Sequence, residues 1–163
     1  PQVKFVDRTF NCKKSHAMAI WQFICDHDNG VTNFHFEIAA DILDEEEIAL
    51  LKTMRPGLVQ LEIGVQTANP DTIHSINRKM DLARVAQVTE KIRQFHNIHQ
   101  HLDLIAGLPL EDYESFGHSF DVVYQMKPSQ LQLGFLKVLK VPRCRHRQAS
   151  MEYCHRQSRH MKY

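Results

Sequence analysis

Nowhere does the 163-residue sequence hold an apolar run near the roughly 20 residues that a membrane-crossing helix needs. Its first residues also lack the charged, apolar and small-residue order of a secretory signal. Cysteine is sparse: Cys12, Cys25, Cys144 and Cys154 form neither a CxxC nor a CxxxCxxC spacing. With no signal, free thiols in a reducing compartment are expected rather than a disulfide framework, and the expected location is the cytoplasm. No compositional extreme is present either. At 43% hydrophobic and 24% charged residues, the chain is not disordered, collagenous or coiled-coil as a whole. It opens at Pro1, without an initiator Met, directly in a strand-like run, which leads us to expect a portion of a longer polypeptide.

What is present divides in two. Residues 141–163 carry six Lys/Arg against one acid, a surplus of five positive charges. Residues 1–140 are left with 14 basic and 18 acidic groups, a net −4. We therefore expect a mildly acidic folded body over 1–140 and a separate basic tail over 141–163. The body alternates strand-like runs (Val3–Thr9, Asn33–Ala40, Leu58–Gln66, His101–Ala106 and Gln130–Leu139) with helical patterns (Ser15–Cys25, Asp44–Met54, Leu82–His96 and Tyr113–Met126). Asp44 with Glu47 three residues on resembles a capping box, and Arg55-Pro56-Gly57 stops that helix. Asn69-Pro70-Asp71 starts a short extra helix. Strand and helix alternating in this way imply an α/β fold of parallel strands with right-handed crossovers. A partial (β/α) barrel of TIM type is the leading architecture, and a doubly wound sheet the second.

Parallel strands buried on both faces usually read as continuous apolar runs. These alternate instead. Leu61, Ile63 and Val65 share one face and Glu62, Gly64 and Gln66 the other. Phe34, Phe36 and Ile38 oppose His35 and Glu37, while Leu102, Leu104 and Ala106 oppose His101, Asp103, Ile105 and Gly107. Leu131 and Leu133 oppose Gln130, Gln132 and Gly134. Amphipathic helices must cover the apolar face, so the polar set looks the other way. A solvated sheet face would account for this; a polar lumen holding a ligand accounts for it in all the strands at once. Asp103 in particular, an acid among Leu and Ile within a strand, needs a partner.

Gly64-Val65-Gln66 at one strand end, Asn77-Arg78 after a short helix and Asp103-Leu104-Ile105-Ala106-Gly107-Leu108-Pro109 at the next strand form an ordered series. In that order they resemble the radical S-adenosylmethionine (SAM) superfamily, in its branch with oxygen-independent coproporphyrinogen oxidase and the cobalamin-binding Fe–S oxidoreductases. Phe5-Val6-Asp7-Arg8-Thr9-Phe10-Asn11 is similar to the second strand of the cobalamin-binding group, and the resemblance runs from about Val3 to Lys140. It implies strands two to six of a partial (β/α)₆ barrel in which SAM is cleaved to a 5′-deoxyadenosyl radical against a [4Fe–4S] cluster. It places Glu37 on the methionyl ammonium of SAM and Arg78 on its carboxylate. Gln66 and Asp103 would take the ribose hydroxyls, and Ile105 and Gly107 would meet the adenine. The residue types suit the ligand: a zwitterion needs one anion and one cation, and Arg can grip a carboxylate through two bonds. For Arg78 the alternatives are a helix cap or a surface pair with Asp71, and for Gly107-Leu108-Pro109 a plain strand exit. Glu62 is a further inward acid with no assigned role.

The family's cluster is ligated by three Cys in a CxxxCxxC loop, and this sequence has none. Cys12 stands alone on a different loop and Cys25 lies in a helical pattern. The resemblance thus implies an upstream cluster loop and cobalamin domain as partners on the same polypeptide, with no metal, cluster or SAM expected on this chain alone. The chain alone is expected to be inactive, on an unknown substrate, with the Val3–Thr9 edge open to self-association. Two other functions stay open: a metal-free barrel for a small polar ligand, and a nucleic-acid-binding module acting through the basic tail. The tail has three readings, namely a phosphate-binding arm, a zinc site from Cys144, His146, Cys154 and His155, and out-of-frame translation. Back-translation favours the last. Read two bases into the Met151 codon, Met151-Glu152-Tyr153-Cys154 forces Gly and Leu around Ile or Val, an ordinary strand sequence. A tail of that origin is expected to be disordered.

Overall fold

Five strands form one parallel sheet in chain order: β1 (Gln2–Lys4), β2 (Asn33–Ile38), β3 (Val59–Gln66), β4 (His99–Ala106) and β5 (Gln130–Phe135). Between them run α1 (Lys14–Asp26), α2 (Glu45–Thr53), α3 (Pro70–Ser75), α4 (Leu82–Arg93) and α5 (Tyr113–Gln125). The computed structural model of the chain describes residues 1–138, so the readings of 141–163, including the zinc set Cys144, His146, Cys154 and His155, lie outside the described residues. The architecture is the expected open half-barrel, with β1 at one edge and β5 at the other.

Local signals set most boundaries. The Asp44 side chain accepts from the Glu46 and Glu47 amides at 3.0 Å, and Glu47 Oε2 accepts from the Asp44 amide at 3.0 Å, completing the capping box of α2. Asn69 caps α3, with Pro70 in its first position. β1 is shorter than the expected Val3–Thr9. The Phe5 amide still donates to His35 O at 2.9 Å, but the chain then turns so that Phe5 stacks on Phe36 and Phe10 packs against it at a tilt, and the ladder ends. β4 begins two residues before the expected His101.

The helix-covered face carries the core. Phe36, Ile38, Leu61, Ile63, Val65, Leu102 and Leu104 are buried there against Trp21, Leu51, Val88 and Ile92 from the helices. The same phase continues into β5, but Leu133 and Phe135 are exposed, because among the described residues no helix follows that strand. Asn97 ties the lower end together. Its buried Nδ2 donates to the carbonyls of Leu51 (2.9 Å), Lys52 (3.3 Å) and Met54 (2.7 Å) at the C-terminal end of α2, where carbonyls run short of helical partners. Asn97→Ala is expected to lower unfolding free energy by about 1–3 kcal/mol, read from the urea midpoint at unchanged slope.

Candidate functional site

The strand register sets the polar residues of the inner face in rows. Glu37 pairs with Glu62, and Glu62 with His101; one step toward the strand ends, Gly64 pairs with Asp103, and Asp103 with Gln132. Because all strands are parallel, residues in register project to the same side, so these groups face one another in the lumen. At the upper end of β3 the register slips between Gly64 and Gln66, and Gln66 takes a left-handed backbone with φ 70°. A bulge of this kind re-aims a side chain. A Cβ placed on Gly64 would meet Arg78 Nη2 at 3.7 Å and Gln66 Nε2 at 3.8 Å, so the guanidinium and the amide close over this one point.

Arg78 does not pair with Asp71 at the surface. Its Nη2 donates to the Gly64 carbonyl, and its Nε is buried with no partner. Burial lowers its pKa, against the pull of the Asp41 and Glu37 carboxylates, and among the described residues it forms no ion pair. Glu37 is its counterpart. Half-buried, it makes no side-chain hydrogen bond or ion pair among the described residues, and burial followed by repulsion from Glu62 raises its pKa. The lumen thus offers one unpaired cation and one unpaired anion near each other.

Asp103, one row nearer the strand ends than Glu37, is pushed up to about 7 by burial and then by the charge and hydrogen bond of Glu62. His101 Nε2 is 3.1 Å from Asp103 Oδ1, off the line a hydrogen bond requires, so both buried atoms lack a hydrogen-bond partner. Glu62 has the opposite balance. Burial acts to raise it, but Lys4 Nζ at 2.9 Å, the Asp103 hydrogen bond and His35 Nε2 at 2.8 Å outweigh that, and its pKa is lowered. Ile105 is two residues beyond Asp103 on the same face, opposite Gly134, and Gly107 leaves the strand at φ 87° beside Leu136. Gln66, Arg78 and Asp103 therefore gather around Gly64, with Glu37 one row down beside Glu62 and Ile105 and Gly107 along the upper rim of β4.

Sequence reasoning gave no role to Lys4, His35, Glu62 or His101. Period two places all four on the lumen face, but that they touch across strands follows only from the register. It also missed Glu111, whose Oε1 accepts from Thr67 Oγ1 at 2.5 Å and Ser119 Oγ at 3.1 Å in a fully buried contact. This contact fastens the loop after Gln66 to the loop after Gly107, and no motif spacing announces it.

The chain is an open parallel half-barrel, a partial (β/α) barrel, with a polar, charge-bearing lumen. The comparisons with known proteins agree. Over 107 residues the chain is 32% identical to the oxygen-independent coproporphyrinogen III oxidase of Salmonella typhimurium, an alignment of 62% of this chain and 23% of that protein. The coproporphyrinogen III oxidase HemN of Escherichia coli, described as a radical SAM enzyme, superposes on 85% of this chain with TM-score 0.71 at 20% identity, over 32% of its own length. The radical SAM methyltransferase TsrM of Kitasatospora setae, solved with cobalamin and a [4Fe–4S] cluster bound, matches 82% of this chain with TM-score 0.69 at 15% identity, over 27% of its length. No protein-family model matches the chain. The chain is related to the radical SAM superfamily and spans less than a quarter of the curated relatives it matches. No helix among the described residues is long and apolar enough to cross a membrane.

The residues present fit SAM and do not fit the cluster. Arg78 Nε and Asp103 Oδ1 are buried polar atoms awaiting partners, as a bound carboxylate and diol would provide. For the cluster, Cys12 is exposed and Cys25 is half-buried in α1. Among the described residues no three His, Cys, Asp or Glu side chains converge to hold a metal.

Proposed function

We propose that residues 1–140 form the SAM-holding half-barrel of a larger radical SAM Fe–S oxidoreductase or methyltransferase. Its cluster loop, and a cobalamin domain like that implied by the likeness to TsrM, would belong to other parts of the same polypeptide. The observation that carries this reading is the buried Arg78 guanidinium, without a carboxylate partner, beside the equally unpaired Glu37. Arg78 would hold the methionyl carboxylate and Glu37 the ammonium. Gln66 and Asp103 would accept the ribose hydroxyls, and Ile105 and Gly107 would lie against the adenine. SAM bound there supplies the 5′-deoxyadenosyl radical for hydrogen abstraction or the methyl group for transfer. The chain alone should be inactive, because its sequence carries no CxxxCxxC cluster motif.

SAM should bind the isolated chain weakly, with a Kd of about 0.1–1 mM, because the cluster's grip on the amine and carboxylate is missing. Arg78→Ala and Asp103→Ala should each weaken it roughly tenfold or more by calorimetry, the loss of one charge-assisted contact. Binding that neither substitution changes would overturn the assignment.

A further inference from the structure

The chain leaving β3 and the chain leaving β4 are joined by a set of buried side-chain hydrogen bonds. The Glu111 carboxylate, only 4% exposed, accepts at Oε1 from Thr67 Oγ1 (2.5 Å) and Ser119 Oγ (3.1 Å), both fully buried. Each hydroxyl is engaged a second time. Ser119 Oγ accepts from the Ala68 amide and Thr67 Oγ1 from the Asn69 amide, each at 3.0 Å. Asn69 Nδ2 then donates to Leu110 O at 3.2 Å, and Thr72 Oγ1 to Pro109 O at 3.0 Å. The backbone at Glu111 is fixed by its neighbour, because Asp112 forms the capping box of α5 with Ser115.

Stability alone does not call for a carboxylate here. Glu111 Oε2 is buried without a hydrogen-bond partner, an arrangement that costs free energy. A leucine would avoid that cost, and Thr67 Oγ1 and Ser119 Oγ, 3.3 Å apart, could then bond each other. What the carboxylate adds is position. Gln66, next to Thr67, has a left-handed backbone with φ 70°, which a residue other than glycine keeps only where its surroundings fix it. We propose that Glu111 is a positioning residue for the adenosine half of SAM. By anchoring Thr67 it holds Gln66 in that conformation, and so sets the ribose contact at Gln66 against the adenine contact at Gly107. This rests on the SAM reading above and deepens it. Glu111 itself touches no ligand. Arg78 is held separately, by its amide on Ile73 O at 3.0 Å and its guanidinium on Gly64 O, so the methionyl half of the site does not depend on Glu111.

The test titrates the whole isotope-labelled chain with SAM and with 5′-methylthioadenosine, reading affinity from amide shifts in nuclear magnetic resonance spectra. The second ligand keeps adenine and ribose but has neither carboxylate nor ammonium. Glu111→Leu and Thr67→Val cut the same tie from opposite sides. Each should weaken both ligands roughly tenfold, and the double variant should bind no more weakly than either single one. Glu111→Gln keeps the accepting oxygen and should bind both ligands within about twofold of the wild type. Arg78→Ala should weaken SAM and leave methylthioadenosine unchanged. A role in stability alone would move the unfolding midpoint and leave these affinities where they are. In the ligand-free chain, hydrogen exchange at the Ala68 and Asn69 amides should quicken about tenfold in Glu111→Leu and not in Glu111→Gln. Unchanged affinity in both Glu111→Leu and Thr67→Val, or an equal loss in Glu111→Gln, while SAM binding still depends on Arg78, overturns this inference and leaves the SAM site standing. Failure of the wild type to bind either ligand overturns the site and the inference with it.

Discussion

Asp103→Asn should stabilise the ligand-free chain at pH 8 by on the order of 2–4 kcal/mol and leave it almost unchanged near pH 4. In the folded chain the Asp103 carboxyl is pushed up to about 7 by burial and by Glu62, whereas an unfolded Asp titrates near 3.9. Between those values the folded state binds more protons than the unfolded state, so wild-type stability falls as pH rises. The contribution is fully present below about pH 4 and is lost as pH climbs through 7. An uncharged amide at this position still reaches Glu62 and carries no charge to repel it, so the decline disappears from the variant. The magnitude follows from about three pH units at roughly 1.4 kcal/mol each, reduced where the pair with Glu62 relaxes. Urea unfolding at pH 4, 6 and 8 checks it. A variant whose curve parallels wild type at all three values would show that Asp103 ionises normally. Such a gain on removing an acid marks a site built for binding at the expense of stability.

Phe36→Ala should destabilise the chain by about 3–5 kcal/mol, enough to unfold much of it at 25 °C if its stability is typical of a single domain. Phe36 is fully buried on β2, with Phe5 stacked at 4.6 Å, Phe10 at 4.4 Å and Trp21 edge-on at 6.0 Å between ring centroids. These rings join β1, the Phe10–Cys12 turn and α1 to the sheet, and β1 itself contributes only three paired residues. Removing the central ring leaves three others facing a void that a short edge strand cannot fill. Loss of near-ultraviolet circular dichroism from Trp21 and a lowered denaturation midpoint are the expected readouts. A loss below 1 kcal/mol would mean that β1 and α1 are held by something other than this cluster.

Local pattern alone was enough for the helices, the parallel strands and the two-faced sheet. Capping at Asp44 and Asn69, the breaker at Arg55-Pro56-Gly57 and period-two alternation are all short-range signals, and short-range physics fixes them. The same alternation puts Glu37, Gln66 and Asp103 on the lumen face. The extent of β1 is not local: Val3–Thr9 reads as a strand, but the pull of Phe5 and Phe10 into the aromatic cluster ends it at Lys4.

The rest was decided by tertiary structure. Register, not spacing, sets Glu62 opposite His101 and Asp103 opposite Gly64, because pairing depends on how strands far apart in the chain are brought together by their crossovers. The bulge at Gln66 and the path of Arg78 back over Gly64 are likewise products of assembly. Charge balance belongs to the same level. A sequence gives every Asp and Glu nearly the same ionisation, and only the burial of Glu62 and Asp103 side by side, with Lys4 and His35 on Glu62, drives the two carboxyls apart, one below its ordinary value and the other up to about 7.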